Sequence, residues 1–283
     1  MATKGITVDY CILNFTFYFY LPLCGINTPG INTSEVADHA VGMLLSLTRN
    51  IREQDRIIKK GSWADNPKEL HIFRTINRRI AGNTIGIIGF GNIGKAFASR
   101  IRGFGPKSII AYDPYLEQTT ADLYGVELVS LDQLLTQSDF ITLHAPSTEE
   151  THHIIDSEAI SKMKDSAILI NCARGPLVDP KALYTALKDG YISSAAIDVT
   201  EVEPINSEDP LLTLDNLIIT PHTAGSSSVS RFEGSKRQAE NVIRILTGGT
   251  PHGLANPEVI KTITINREKG DKRWEGFKEF QLP

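Results

Sequence analysis

Few residue types are in excess in this 283-residue chain, and the shortages set its first limits. Cysteine occurs only three times, as Cys11, Cys24 and Cys172. With no Cys-x-x-Cys pair and no metal-ligand spacing, that excludes structural zinc and a disulfide framework, and it suits a reducing compartment. Surplus positive charge is also absent. Lys and Arg number 29 against 33 Asp and Glu, a net charge of −4 with a pI near 6.0. Nucleic acid and an anionic membrane surface both call for a concentrated basic face, so neither is an expected partner. Apolar residues at 41% and charged residues at 22% exclude a disordered chain. No internal repeat is present, and at about 150 residues per domain the length suggests about two domains.

A long hydrophobic run is missing too. The apolar, aromatic-rich stretch from Cys11 to Leu23 counts thirteen residues, short of the roughly 18 needed to span a bilayer. It has the length of a signal-peptide apolar region. Only Lys4 balances Asp9 ahead of it, and no small-x-small cleavage site follows, so an export signal is not expected.

What is present is alternation. Asn32 followed by Glu35 resembles a capping box. After it Val36, Ala40, Val41, Leu44, Leu47 and Ile51 recur at helical spacing, which predicts one long helix over 33–59. From Thr84 short apolar runs take over. TIGIIG (84–89) and SIIAYD (108–113) read as strands, followed by a weaker pair at VELVS (126–130) and LDQLLTQ (131–137). FITLHA (140–145), AILINCA (167–173), SAAIDV (194–199) and LIITPH (217–222) continue the series. Helical stretches lie at 92–104, 157–164 and 179–189. Strands alternating with helices predict βαβ units and an α/β fold, a doubly wound parallel sheet covered on both faces. The last 23 residues carry ten charges with Trp274, Phe277 and Phe280 among them, and read as a solvated tail.

The first chemistry lies in GFGNIG. Gly89 permits a tight turn, Gly91 lets backbone approach a pyrophosphate, and Gly94 allows helix and strand to pack closely. The helix that follows offers N–H groups and a positive dipole end to phosphates. Asp113 ends the next strand, where its carboxylate can accept from the ribose hydroxyls and would repel a 2′-phosphate, so NAD is favoured over NADP. A tight turn plus a surface aspartate is the bland alternative.

A second group of residues lies downstream. Arg174 in NCARG and Glu203 in DVTEVEP follow predicted strands and His222 in TPHTAG ends the last one, all at the edge where open α/β sheets bind ligands. An arginine there can grip a carboxylate at two points. A histidine can pass a proton to or from a hydroxyl, and a glutamate beside it would orient the ring and favour its charged form. Each also has a bland role, as a salt-bridge partner, a loop charge or a hydrogen-bonded loop residue. Spacing alone does not bring the three together.

These segments closely resemble the D-isomer-specific 2-hydroxyacid dehydrogenase family, which includes phosphoglycerate, glycerate and hydroxypyruvate-type enzymes. The likeness runs from NTPGINTSEVADHA (27–40) through GIIGFGNIG, YDPY, SDFITLHAPST, NCARGPLVD and AAIDVTEVEP to TPHTAG (220–225), over nearly all of residues 27–250. It implies a Rossmann domain over 32–225, a returning helix over 226–252 and a charged tail over 253–283. It implies NAD as cofactor and transfer of a hydride between nicotinamide and C2 of a D-2-hydroxy or 2-keto acid. Arg174 would bind and polarise the acid, His222 would donate the proton, and Glu203 would pair with it. Gly89, Gly91, Asn92, Ile93, Gly94, Asp113, Ala145, Pro146, Cys172, Ala173, Arg174, Asp198 and His222 would face NAD, with Asp198 near the carboxamide. No metal is implied.

The resemblance also marks a departure. Relatives carry about half of a substrate lobe ahead of NTPG, with a glycine-rich loop that grips the substrate carboxylate. Here only 26 residues stand there, so residues 1–31 read as the remnant of an incomplete second, substrate domain. Joining Val8 to Ile26 gives KGITVINTPGINT, a natural family sequence, so Asp9–Gly25 reads as an artefactual insertion. A genuine hydrophobic strand or anchor is the rival reading. Two functions follow as alternatives: an NAD-dependent dehydrogenase, or a catalytically weak NAD-binding regulatory protein. The helix at 33–59 is similar to the family's dimer-forming helix, so a homodimer is expected. A cytoplasmic location is also expected, with targeting to an organelle left open.

Overall fold

The computed structural model describes residues 26–246, 251–253, 255–256 and 258–270. The proposed insertion at 9–25 and the aromatic residues of the C-terminal tail lie outside the described residues. The chain divides into two compact units, Thr33–Ser226 and the segments flanking it.

The larger unit is built on a sheet of seven strands. These are β1 (Thr84–Ile88), β2 (Ser108–Tyr112), β3 (Glu127–Leu128), β4 (Phe140–Leu143), β5 (Ile168–Asn171), β6 (Ser194–Ile197) and β7 (Leu217–Ile219). Their order is β3-β2-β1-β4-β5-β6-β7, every pair parallel. Helices of seven residues or more in this unit are α1 (Thr33–Thr48), α2 (Ile51–Lys59), α3 (Asn92–Ile101), α4 (Leu131–Gln137) and α5 (Pro180–Asp189). The central strands are short and mostly apolar because they are buried on both faces, as an all-parallel sheet requires, while the edge strand β3 is partly exposed.

Side-chain alternation divides the core in two. Ile85, Ile87, Ile109, Ala111, Phe140, Ile168, Ile170 and Ala196 face α1 and α3, packing with Leu44 and Phe97. Ile88, Ile110, Ile141, Leu143, Leu169, Ala195 and Ile197 face the other way, with Leu134 of α4 and Leu183 of α5. Successive residues of one strand thus enter opposite cores, which is the doubly wound arrangement. Fully burying each such large apolar side chain contributes about 1.5–3 kcal/mol.

Three expectations are corrected. The helix predicted over 33–59 is two helices. Asn50 between them has φ 51°, in the left-handed region that asparagine tolerates, and its Nδ2 donates to Asn77 Oδ1 at 3.0 Å. LDQLLTQ is helix α4 and only two residues of VELVS form a strand. Ser130 Oγ accepts from Gln133 N–H while the Gln133 side chain accepts from Ser130 N–H, a reciprocal cap that starts a helix. The final strand stops at Ile219, so His222 belongs to the loop beyond it.

The smaller unit contains α6 (Ser228–Leu246) and α7 (Glu258–Glu268). Part of the segment expected to be a charged tail over 253–283 is therefore helical, with Val259 buried. Asn241 of α6 is fully buried. It donates through Nδ2 to Asn27 O at 3.4 Å and accepts His252 N–H on Oδ1 at 2.7 Å, while Asn27 N–H donates to Gly253 O at 2.9 Å. One amide side chain thus ties the NTPG segment to the HGLANPEV return. Among the described residues no helix is long and apolar enough to cross a membrane.

Candidate active site

Because every strand runs the same way, all seven carboxyl ends lie at one edge. The register places Ile88 between Tyr112 and Leu143, so Gly89, Asp113 and His144 emerge side by side. This is the switch point, where the strand order reverses: β2 follows on one side of β1 and β4 lies on the other.

The glycine turn is shaped by two contacts and one gap. Gly89 has φ 87°, and a Cβ there would lie 2.5 Å from Ala145 N, so the turn is pressed directly on the backbone after β4. A Cβ on Gly94 would lie 2.4 Å from Gly89 O, which is why α3 can pack so closely against the turn. At Gly91, by contrast, a Cβ would meet nothing within 4 Å. Protein packing does not require glycine at position 91, which leaves open space over the turn. Gly91 precedes α3, whose first turn has no side-chain cap, leaving N–H groups for an anion. Asn92 is exposed and Ile93 half-buried beside this opening, and Pro146 on the neighbouring loop is exposed.

Asp113 is held in place by the turn itself. Its Oδ2 accepts Phe90 N–H at 2.9 Å and its Oδ1 accepts Tyr115 N–H at 3.1 Å. A carboxylate has about four acceptor sites, so capacity remains for ribose hydroxyls. The gap at Gly91, the uncapped helix and the oriented acid fit a dinucleotide without a 2′-phosphate.

Further along the edge, Asn171 shapes the NCARG loop. Its Oδ1 accepts Ala173 N–H at 3.0 Å and its Nδ2 donates to Arg174 O at 2.9 Å. Arg174 is extended, with Nη1 donating to Ala173 O at 2.7 Å. Cys172 points into the core, with Sγ 3.6 Å from Met43 Sδ, and burial pushes its thiol pKa up. Any role of Cys172 toward NAD therefore falls to its backbone.

The loops carrying the three downstream residues meet through Gly175. A Cβ on this glycine would lie 2.0 Å from Thr200 O, so the NCARG loop rests on the backbone of the loop after β6. On that loop Thr200 N–H donates to Glu203 Oε1 at 3.1 Å, and Glu203 Oε2 lies 2.7 Å from His222 Nδ1. His222 has φ 54°, with its N–H donating to Asp198 O at 2.7 Å. The contact chain from Arg174 through Gly175 and Thr200 to Glu203 and His222 is what spacing could not establish.

Behind this loop lies Asp198, 1% exposed. It accepts Thr220 Oγ1–H and Thr223 N–H on Oδ1, the latter at 3.0 Å, and Ala224 N–H on Oδ2 at 2.7 Å. His39 of α1 adds a bond to Thr220 Oγ1 at 3.1 Å and lies 3.7 Å from Asp198 Oδ1. Asp198 therefore staples residues 220–224 to β6, using most of its acceptor capacity within the protein. Sequence reasoning missed Thr220 and His39 as members of this network. Thr220 lies within TPHTAG, but nothing local marks His39, which comes from 181 residues away.

His144 was also unmarked. Burial beside Phe97, with ring centroids 5.4 Å apart, pushes its pKa down to about 3. Its Nε2 pairs with Thr142 Oγ1 at 3.0 Å. A ring neutral at ordinary pH is a poor proton source, whereas His222 has its Nδ1 2.7 Å from a carboxylate oxygen of Glu203.

An open parallel sheet with a glycine turn and an oriented acid at its switch point defines a dinucleotide-binding domain. The family model for "D-isomer specific 2-hydroxyacid dehydrogenase, NAD binding domain" matches residues 41–224. A glyoxylate reductase of Korarchaeum cryptofilum is 43% identical over 83% of this chain and 70% of its own length. A D-3-phosphoglycerate dehydrogenase of Methanocaldococcus jannaschii is 42% identical over 82% of the chain, which spans only 43% of that relative. The crystal structure of D-lactate dehydrogenase with NAD+ from Lactobacillus jensenii superimposes with a TM-score of 0.72 at 28% identity, over 86% of this chain and 74% of that one. The chain belongs to the D-isomer specific 2-hydroxyacid dehydrogenase family. It is an NAD-dependent oxidoreductase acting on a CH–OH group.

Proposed function

We propose that this protein interconverts a small 2-keto acid, of the glyoxylate, hydroxypyruvate or phosphohydroxypyruvate type, and the corresponding D-2-hydroxy acid. The observation that carries the reading is the 2.7 Å contact between His222 Nδ1 and Glu203 Oε2 at the strand edge that also holds the glycine turn. When bound, NAD supplies or accepts the hydride at C2. Gly91 and the first turn of α3 hold the pyrophosphate, and Asp113 takes the ribose hydroxyls. With Nδ1 engaged by Glu203, the other ring nitrogen of His222 holds the proton destined for the C2 oxygen. Glu203 keeps the ring oriented and compensates the charge it carries when protonated. Arg174, on the loop supported by Gly175, grips the acid's carboxylate and polarises its carbonyl. Asp198 acts one step behind, keeping the loop of His222 in place.

The names of the glyoxylate reductase and phosphoglycerate dehydrogenase relatives support this substrate class. The protein works as a homodimer. The exposed apolar side chains of Ile51 (53%), Ile58 (39%) and Trp63 (66%) on and after α2 support a self-association face.

The test is NADH consumption by the purified chain against glyoxylate, hydroxypyruvate and phosphohydroxypyruvate. Turnover with one of them is expected, and His222→Ala is expected to lower the rate by roughly 10²–10⁴ while NADH binding persists. A His222→Ala protein as active as the parent would overturn the assignment.

A further inference from the structure

Among the described residues one group of metal-ligating side chains is used by none of the roles above. His152 and His153 follow β4, and Glu201 follows β6. We propose that these three bind a single divalent cation of the zinc class.

Two neighbouring residues seldom offer their side chains to one point. Here His153 has φ 50°, and the two imidazoles stack with centroids 3.9 Å apart at an interplanar angle of 25°. Both rings present Nε2 to the same carboxylate oxygen. Glu201 Oε1 lies 3.0 Å from Nε2 of His153 and 3.8 Å from Nε2 of His152. One ligand atom from each residue lies within 4.8 Å of the others. A tetrahedral ion about 2.0–2.1 Å from each ligand needs those ligands roughly 3.4 Å apart, so the atoms are already near their bound spacing.

The position of His153 is set by the main chain. His153 N–H donates to Pro176 O at 2.8 Å, and two residues on Ile155 N–H donates to Leu177 O at 3.0 Å. A surface ion pair would account for His153 and Glu201 but would not require a second imidazole stacked beside them.

The donor set selects the ion. Two imidazoles and one carboxylate suit zinc, cobalt or nickel, whereas magnesium and calcium prefer all-oxygen ligands. Three protein ligands leave the fourth position to water. His152 is 54% exposed at its side chain, so an ion enters from solvent without the fold opening. Binding would cross-link the segments after β4 and β6, the second of which also carries Glu203. The expected consequences are tighter metal binding than isolated surface histidines provide and a higher melting temperature.

The experiment uses the full chain, stripped with chelator and titrated with Zn²⁺ alone by calorimetry, with Co²⁺ absorption as a second readout. One site dependent on this cluster is expected. His152→Gln, an exposed change, and Glu201→Gln should each lower its affinity at least about tenfold. Zn²⁺ should raise the melting temperature of the parent and not that of His152→Gln, with far-UV circular dichroism confirming that both variants fold. Affinity unchanged in both variants, no binding below millimolar Zn²⁺, or a site lost only in His222→Ala would overturn the proposal.

Discussion

Replacing Asp198 by asparagine tests whether the loop of His222 is held by this one buried carboxylate. Asp198 is 1% exposed and accepts from Thr220 Oγ1, Thr223 N and Ala224 N. An asparagine of the same shape has one acceptor oxygen and an NH₂ in place of the other. If the oxygen faces Thr223, the NH₂ meets Ala224 N–H. If it is flipped, the NH₂ meets Thr223 N–H, while the Thr220 hydroxyl can turn to accept. Either way one buried backbone donor loses its acceptor, a cost of about 1–3 kcal/mol. With a urea m-value of about 2–3 kcal/mol/M, a loss near 2 kcal/mol moves the midpoint down by roughly 0.7–1 M. Thr220→Val, which removes one donor and leaves two for Asp198, should cost about 1 kcal/mol. Urea unfolding measures both. The kcat/KM for whichever 2-keto acid turns over should fall in Asp198→Asn, because residues 220–224 loosen with His222 among them. A midpoint within about 0.2 M of the parent, together with unchanged kcat/KM, would refute the staple.

Four further outcomes are expected. Gly91→Val should fold with an unchanged melting temperature, since a Cβ there would meet no protein atom within 4 Å, but bind NADH at least about tenfold more weakly in a fluorescence titration. Gly94→Val, whose Cβ would lie 2.4 Å from Gly89 O, should lose stability as well. Gly175→Ala should cost about 1–3 kcal/mol in urea unfolding and depress kcat/KM, because its methyl group would meet Thr200 O and part the loops of Arg174 and Glu203. His144, whose pKa falls from 6.5 to about 3 on folding, should stay neutral in an NMR titration from pH 7.5 to 5. Below pH 6.5 the unfolded chain takes up a proton there and the folded one does not. The stability it contributes is thus complete above pH 6.5 and declines as pH falls toward about 3. A His144 signal titrating near pH 6 would contradict this.

The expected apolar strands were visible because burial on both sheet faces leaves a local mark, a run of β-branched and aliphatic residues between turns. Gly89 and Gly94 were visible for a similar reason, since glycine is the residue a close backbone contact selects. LDQLLTQ misled because its apolar residues suit a buried strand as well as a helix. The Ser130–Gln133 cap, worth about 1 kcal/mol, resolves that ambiguity only once its reciprocal bonds are seen. Asn50 was equally silent, because a left-handed residue inside a helical pattern changes the chain's direction without changing its periodicity.

The sequence by itself determined the sheet class, the glycine turn with its acid, and the candidates Arg174, Glu203 and His222, since each depends on residue type at a strand end. Tertiary structure decided which of these lie together. Gly175 against Thr200, Glu203 against His222, Asp198 beneath residues 220–224, and His39 reaching Thr220 join segments far apart in the chain. Short-range hydrogen bonds and steric contacts act only between groups that the fold has already brought to a few ångströms, and no local pattern encodes that distance.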